Sequence, residues 1–332
     1  MKLTLTGAVS ALAIGIAATS AGAETVIKVA TIAPDGTPWA AHLQNWEVAV
    51  EEASNGEIDL QLFLGGQLGN EFDVYKQVQR GRIDASFFSG AAMSENVPEL
   101  ALMSTPFLFE KSSTIDCIYD GPLGDKFAEL AEAKGMKMAQ WQETGWVYVY
   151  AKDDLSDVAD AEGYKTRVAP QPMSRLLWDS VGANGAEIPY SETPSALQTN
   201  LVKGGESAGI SYIAFGVSKV APHFMKTAHM HQAGALMISE KAWGGLSEAD
   251  QKLLVDSLPE VQGMRDGLRN ITEAMLGKYA EASGTVHELT TEQRAAWVAK
   301  VEPNWPAFVE GLGGEAKTLW PQLLEAKAAC GG

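Results

Sequence analysis

The chain has 332 residues, 46% of them hydrophobic, two cysteines and a formal net charge of −17. That charge argues against nucleic acid or an anionic membrane as a partner, since both repel an acidic surface. It also leaves the capture of any anionic ligand to a local cation.

Met1–Ala23 reads as a secretory signal: Lys2 is the positive end, Leu3–Ala18 is uncharged and largely apolar, and Ala21-Gly22-Ala23 is a small-residue cleavage site. About 309 residues would then remain, a length that favours two domains over one core. Thr25–Thr31 reads as a strand, Ile32–Gly36 as a loop, and Pro38–Ser54 as a helix whose apolar stripe runs through Trp39, Leu43, Trp46, Val50 and Ala53. Ile58–Phe63 alternates like a strand. The run Gly65-Gly66-Gln67-Leu68-Gly69-Asn70-Glu71 leads into helix Phe72–Arg80, and Gly81–Asp84 into strand Ala85–Ser89. Helices are expected over Ser112–Tyr119 and Gly124–Lys134, then strands over Lys137–Trp141 and Trp146–Ala151 with Glu143-Thr144-Gly145 between them. Trp146, Tyr148 and Tyr150 share one strand face.

Ala161–Ser207 carries the chemistry. Strand Lys165–Ala169 holds Arg167 and stops at Pro170; helix Ser174–Val181 ends at Gly182; strand Ala186–Tyr190 leads to Ser191 and helix Pro194–Val202, which stops at Gly204-Gly205. In open α/β sheets ligands bind outside the carboxyl ends of strands, and an arginine fork there matches a carboxylate. Further on, Ile210–Gly216 and Phe224–Thr227 are short elements before strand Leu236–Ser239, and a helix opens at Ser247. Pro259–Ala282 reads as one long helix with a stripe of Val261, Met264, Leu268, Ile271, Met275 and Tyr279. Strand Thr285–Leu289 and helices Thr291–Val301, Asn304–Gly311 and Gly314–Lys327 close the chain.

Two enzyme motifs are missing: there is no H-E-x-x-H and no phosphate-binding G-x-x-x-x-G-K-S/T. His229 and His231 share a strand face and could begin a metal site, although two histidines alone are weak evidence. An oxidising compartment permits a Cys117–Cys330 disulfide, and an unpaired tail cysteine is the alternative.

The runs G-Y-K-T-R-V at Gly163–Val168, W-D-S-V-G-A at Trp178–Ala183 and S-E-T-P-S-A-L-Q-T-N at Ser191–Asn200 resemble the solute receptors of tripartite ATP-independent periplasmic (TRAP) transporters, of the dicarboxylate-receptor type. The segments Gln67–Gly69 and Gly81–Asp84 and the apolar Pro106–Phe109 fit the same pattern, so the likeness covers nearly all of the mature chain. Ala169, Pro194, Lys203 and Ser207 depart from it, standing where the family has proline, an apolar residue, aspartate and asparagine.

The resemblance implies an α/β fold, a two-domain periplasmic binding protein (type II-like) in which two open sheets face each other over a ligand cleft. Residues 24–149 with 236–258 would form domain I, 150–235 with 284–332 domain II, and 259–283 a spine helix crossing both. It implies that Arg167 pairs with the carboxylate of an organic acid. Glu71, Ser89, Tyr190, Glu206 and Ser207 are further candidate ligand contacts, with Tyr212 in the segment that follows. Where some sugar-acid receptors carry a second arginine, this chain has Val147, or Trp146 if the register slips by one. Lys203 is either a cation on a helix end or a second positive charge for a dicarboxylate. The expected partner is a membrane permease driven by an ion gradient, with no cofactor, no metal and a monomeric receptor exported to the periplasm. Two other readings stay open: the receptor of an ATP-driven importer, and a secreted metal-dependent enzyme built on His229 and His231.

Overall fold

The computed structural model describes residues 25–282 and 284–332. The expected secretory signal, residues 1–23, lies outside them. Among the described residues the strands are β1 (Thr25–Ala30), β2 (Ile58–Phe63), β3 (Ala85–Ser89), β4 (Met136–Ala151), β5 (Lys165–Val168), β6 (Asn184–Glu187), β7 (Gly204–Ala208), β8 (His223–Ser239) and β9 (Thr285–His287). They hydrogen-bond in the order β2-β1-β3-β8-β4-β7-β5-β6, with β9 beside β8. No described helix is long and apolar enough to cross a membrane.

The expected pair of separate sheets is corrected here. One sheet runs through both halves because β4 and β8 pair antiparallel along their whole length, Met136 facing Ser239 at one end and Ala151 facing His223 at the other. Three register shifts, at Met138/Gln140, Glu143/Gly145 and Val147/Val149, let the pair bend as it passes from one half to the other. Glu143-Thr144-Gly145, read as a break between two strands, is therefore the bulged middle of a single strand. Gly145 sits there at φ +95, a conformation that L side chains rarely adopt.

Each half has its own core. In the first, helix Glu71–Gln79, helix Ser112–Tyr119 and the C-terminal helix Ala316–Ala329 cover one face of the sheet. Helix Pro38–Ser54 covers the other face, burying Trp39, Leu43, Trp46 and Val50. That helix starts where Thr37 caps it ahead of Pro38 and stops at Asn55 in the left-handed region (φ 53). In the second half Trp178 and Trp297 meet edge to face at 6.5 Å on one side, and Tyr150, Tyr212 and Phe224 pack on the other.

The long helix, Val261–Ala282, joins the two cores: Met264 and Leu268 enter a first-half cluster and Leu276 a second-half one. At 1.5 Å per residue it spans about 33 Å. Its buried face is rotated from the expected stripe. Ile271 is 37% exposed, whereas Arg265 is fully buried, because Asp120 takes both arms of its fork at 2.7 and 2.9 Å. A second correction concerns the C-terminus. Trp297 and Val301 pack with Trp178, whereas Ala316, Leu319 and Leu323 pack on the first half, where Cys330 is disulfide-bonded to Cys117.

Candidate functional site

The bend in β4 and β8 leaves a cleft between the halves, with about 670 Å³ of empty space, part of it continuous with solvent. Arg167 enters from β5, paired in register with Ala186 of β6. It is only 5% exposed. Its Nε donates to the Ile188 carbonyl at 2.8 Å and Nη1 to the Glu206 carbonyl at 3.3 Å. The guanidinium carbon lies 5.3 Å over the Tyr190 ring. Carbonyls and a ring face thus orient the fork without discharging it. No carboxylate lies within ion-pair distance of it among the described residues.

The space that this needs comes from β7. A Cβ at Gly205 would fall 2.6 Å from the Tyr150 hydroxyl and 3.1 Å from Arg167 Cβ. Gly204-Gly205, read as a helix stop, is instead a strand whose missing side chains let the arginine and tyrosine lie against it.

Across the cleft Glu71 opens helix Glu71–Gln79, positioned by Asn70, whose side chain accepts from Asp73 N at 3.0 Å. Glu71 Oε2 accepts from Ser89 N at 3.2 Å and Ser89 Oγ at 2.7 Å. Burial raises the Glu71 pKa; the two bonds from Ser89 and the charge of Arg167 only partly oppose that. Glu206 is 2% exposed, and neither carboxylate oxygen has a hydrogen-bond partner within the protein; His229 Nε2 stands 3.5 Å from Oε2. The Tyr190 and Ser207 hydroxyls are also buried and unpartnered. Such groups are costly to bury unless something else completes their bonds.

The walls are apolar. Trp39 and Phe87 stack at 6.0 Å on the first half, and Phe215 meets Tyr190 edge-on at 5.1 Å on the second. Val147 and Met230 line the crossing strands. There Gln232 accepts from Thr144 Oγ1 at 2.9 Å and donates to Gln171 Oε1 at 3.1 Å, so one amide links the crossing strands to the second half.

The cleft therefore brings together Arg167, Glu71, Ser89, Tyr190, Glu206 and Ser207. Two candidates are corrected. Trp146 lies outside the lining: strand alternation turns Val147 to the cleft, and the Trp146 indole donates to Ser112 Oγ at 2.9 Å. Tyr212 is buried behind the wall, its hydroxyl donating to the Ala221 carbonyl at 2.7 Å, while Ser211 and Phe215 of the same segment line the cleft. Lys203 is exposed and also lies outside the lining.

His229 and His231 do not converge. His229 Nδ1 pairs with Thr227 Oγ1 at 2.8 Å and its other nitrogen faces Glu206, whereas His231 Nε2 pairs with Glu143 Oε2 at 2.8 Å. No cluster of three or more metal-ligating side chains occurs among the described residues.

Sequence reasoning missed Trp39, Phe87, Gln171, Phe215 and Gln232. Phe87 was legible, since it shares a strand face with Ser89. Trp39 opens the helix that follows β1, on the side where such sheets bind ligands, although its spacing alone places it on the helix's core stripe. Gln171, Phe215 and Gln232 carry no local signal.

The family described as bacterial extracellular solute-binding protein, family 7, matches residues 29–311. A solute-binding protein of Chromohalobacter salexigens is 25% identical over 281 residues, 84% of this chain and 83% of that one. The C4-dicarboxylate-binding periplasmic protein DctP of Vibrio cholerae is 26% identical over 284 residues, 85% of this chain and 83% of that one. The sugar acid binding protein DctPAm of Advenella mimigardefordensis, solved with galactonate, superposes with a TM-score of 0.87 at 24% identity, covering 92% of this chain and 98% of that one. With 283 consecutive positions (29 to 311) inside the family match and the same fold throughout, the chain belongs to the bacterial extracellular solute-binding proteins of family 7.

Proposed function

We propose that the protein is the extracytoplasmic receptor of a TRAP transporter, that it captures an organic acid in the cleft, and that it delivers the acid to a membrane permease. The observation that carries this reading is Arg167: a buried, oriented guanidinium that lines the cleft with no carboxylate partner among the described residues. A buried cation is tolerated when an anion arrives to pair with it, and a fork held by carbonyls offers its free edge to a planar carboxylate. The relatives add support: one is named for C4-dicarboxylates and another holds galactonate, both carboxylates.

The mechanism is closure. Arg167 and Glu71 belong to different halves, and the bulged stretch of β4 and β8 between them is where the sheet bends. A ligand that touches both halves binds the closed form better and shifts the equilibrium toward it. The closed receptor is the form that docks on the permease.

Calorimetry with a panel of organic acids tests the reading, alongside a denaturant melt of the ligand-free protein. Arg167→Ala should weaken the bound acid by roughly 2–5 kcal/mol, because its carboxylate would be left desolvated and unpaired. The same change should leave the melt nearly unmoved. Unchanged affinity with a lowered melting midpoint would make Arg167 structural and defeat the proposal.

A further inference from the structure

The charge of the cleft is poorly suited to a simple anion. Arg167 is the one cationic side chain in the lining, set against two acidic ones, Glu71 and Glu206. Glu206 has His229 Nε2 at 3.5 Å. Glu71 has no cation within ion-pair distance among the described residues. Its Oε2 takes both bonds from Ser89, and Oε1 takes none within the protein. Lys203, the lysine that could have matched a second ligand carboxylate, is exposed and outside the lining.

Like charges repel strongly where water is excluded. A dicarboxylate would place its second anion in a lining whose remaining unmatched charge is Glu71. A simple monocarboxylate would satisfy Arg167 and leave Glu71 Oε1 without a donor. A ligand that carries both signs satisfies both groups.

We propose that the cleft selects a monocarboxylate that also bears a protonated nitrogen: the carboxylate docks on Arg167 in the second half and the nitrogen donates to Glu71 in the first. Each end of the ligand then belongs to a different half, so the same two contacts that give specificity hold the cleft shut. Trp39 and Phe87 on one wall and Phe215 on the other pack against the carbon skeleton between the charges. The inference rests on the carboxylate reading of Arg167.

The test is calorimetry on the mature, ligand-free protein with matched pairs: alanine against lactate, β-alanine against 3-hydroxypropanoate, 4-aminobutanoate against 4-hydroxybutanoate, with succinate as the dicarboxylate. At least one amino acid should bind roughly 10- to 100-fold tighter than its hydroxy partner and than succinate, the scale of a charge-assisted hydrogen bond. Glu71→Gln should erase that advantage, bringing the amino acid to the level of its hydroxy partner; should this variant fail to fold, the wild-type preference decides alone. A hydroxy acid or succinate binding as tightly as every amino acid overturns the inference; if Arg167→Ala abolishes that binding, the carboxylate reading survives it. An amino-acid preference that persists in Glu71→Gln overturns the assignment to Glu71. If no acid in the panel binds, both readings fall.

Discussion

Arg167 and Glu143 are both buried charged residues, and their surroundings give them opposite roles. Arg167 is met by carbonyls and a ring, so its charge stays available; Arg167→Lys keeps the charge but loses the fork, and should still weaken organic-acid binding in calorimetry. Glu143 is ionised and fully paired. Burial alone would raise its pKa, but the charge and hydrogen bond of His231 and the bidentate Arg269 outweigh that and hold it at about 2. A carboxyl held there instead of at 4.5 contributes about 3 kcal/mol near neutrality. Because the folded pKa is depressed, that contribution is complete above about pH 4.5 and is lost as pH falls toward 2. Denaturant melts of the wild type should lose stability over this window. Glu143→Gln should be destabilised near neutrality and should flatten the dependence, and an equally steep profile in the variant would move the effect to another group.

At the scale of elements, the spine helix is the beam between the two cores. Leu268 is 1% exposed and packs among first-half side chains, so Leu268→Ala should lower stability by roughly 2–5 kcal/mol in a denaturant melt. Two arginines anchor the same helix: Arg265 to Asp120, and Arg269 to Asp116 and Glu143. Asp116, Cys117 and Asp120 all lie on helix Ser112–Tyr119 or at its end, and Cys117 binds Cys330 of the last helix. That bond closes a separation of 213 residues. Removing so long a cross-link costs at most about 5 kcal/mol in the chain-entropy model. Cys330→Ser should therefore lower the melting midpoint while leaving ligand affinity in place, since neither cysteine reaches the cleft. Thiol titration of the denatured, unreduced wild type should find no free cysteine.

For the whole molecule, a continuous sheet bent at its middle makes opening and closing a change in two strands and one helix. In the closure proposed above, each half, with its own core, would move as a body while β4 and β8 absorb the difference at their bulges. Small-angle scattering should show the radius of gyration falling when a binding acid is added. The same acid should leave Arg167→Ala unchanged, because a ligand without differential affinity shifts no equilibrium.

Local chemistry was enough for much of this. β-branched runs, proline and glycine stops, and the caps at Thr37, Asn70 and Thr290 mark most elements within a few residues, because those signals act over one turn of chain. The same local reading put Arg167 near the end of a strand, where α/β sheets bind ligands. Other features were decided only by contacts between distant segments. Gly204-Gly205 became strand because Tyr150 and Arg167 needed its empty faces; β4 and β8 became continuous because each bridges the other's bulges. Val147 faces the cleft and Trp146 does not, because one step of strand parity reverses the face. Arg265 joined a buried face because Asp120, 145 positions away in sequence, neutralises it. The sequence by itself determined which segments could be strand or helix and which cation could meet an anion. Only the tertiary structure decided which side chains share the cleft and which acids are left without partners, because burial and pairing are properties of neighbours that the chain order does not bring together.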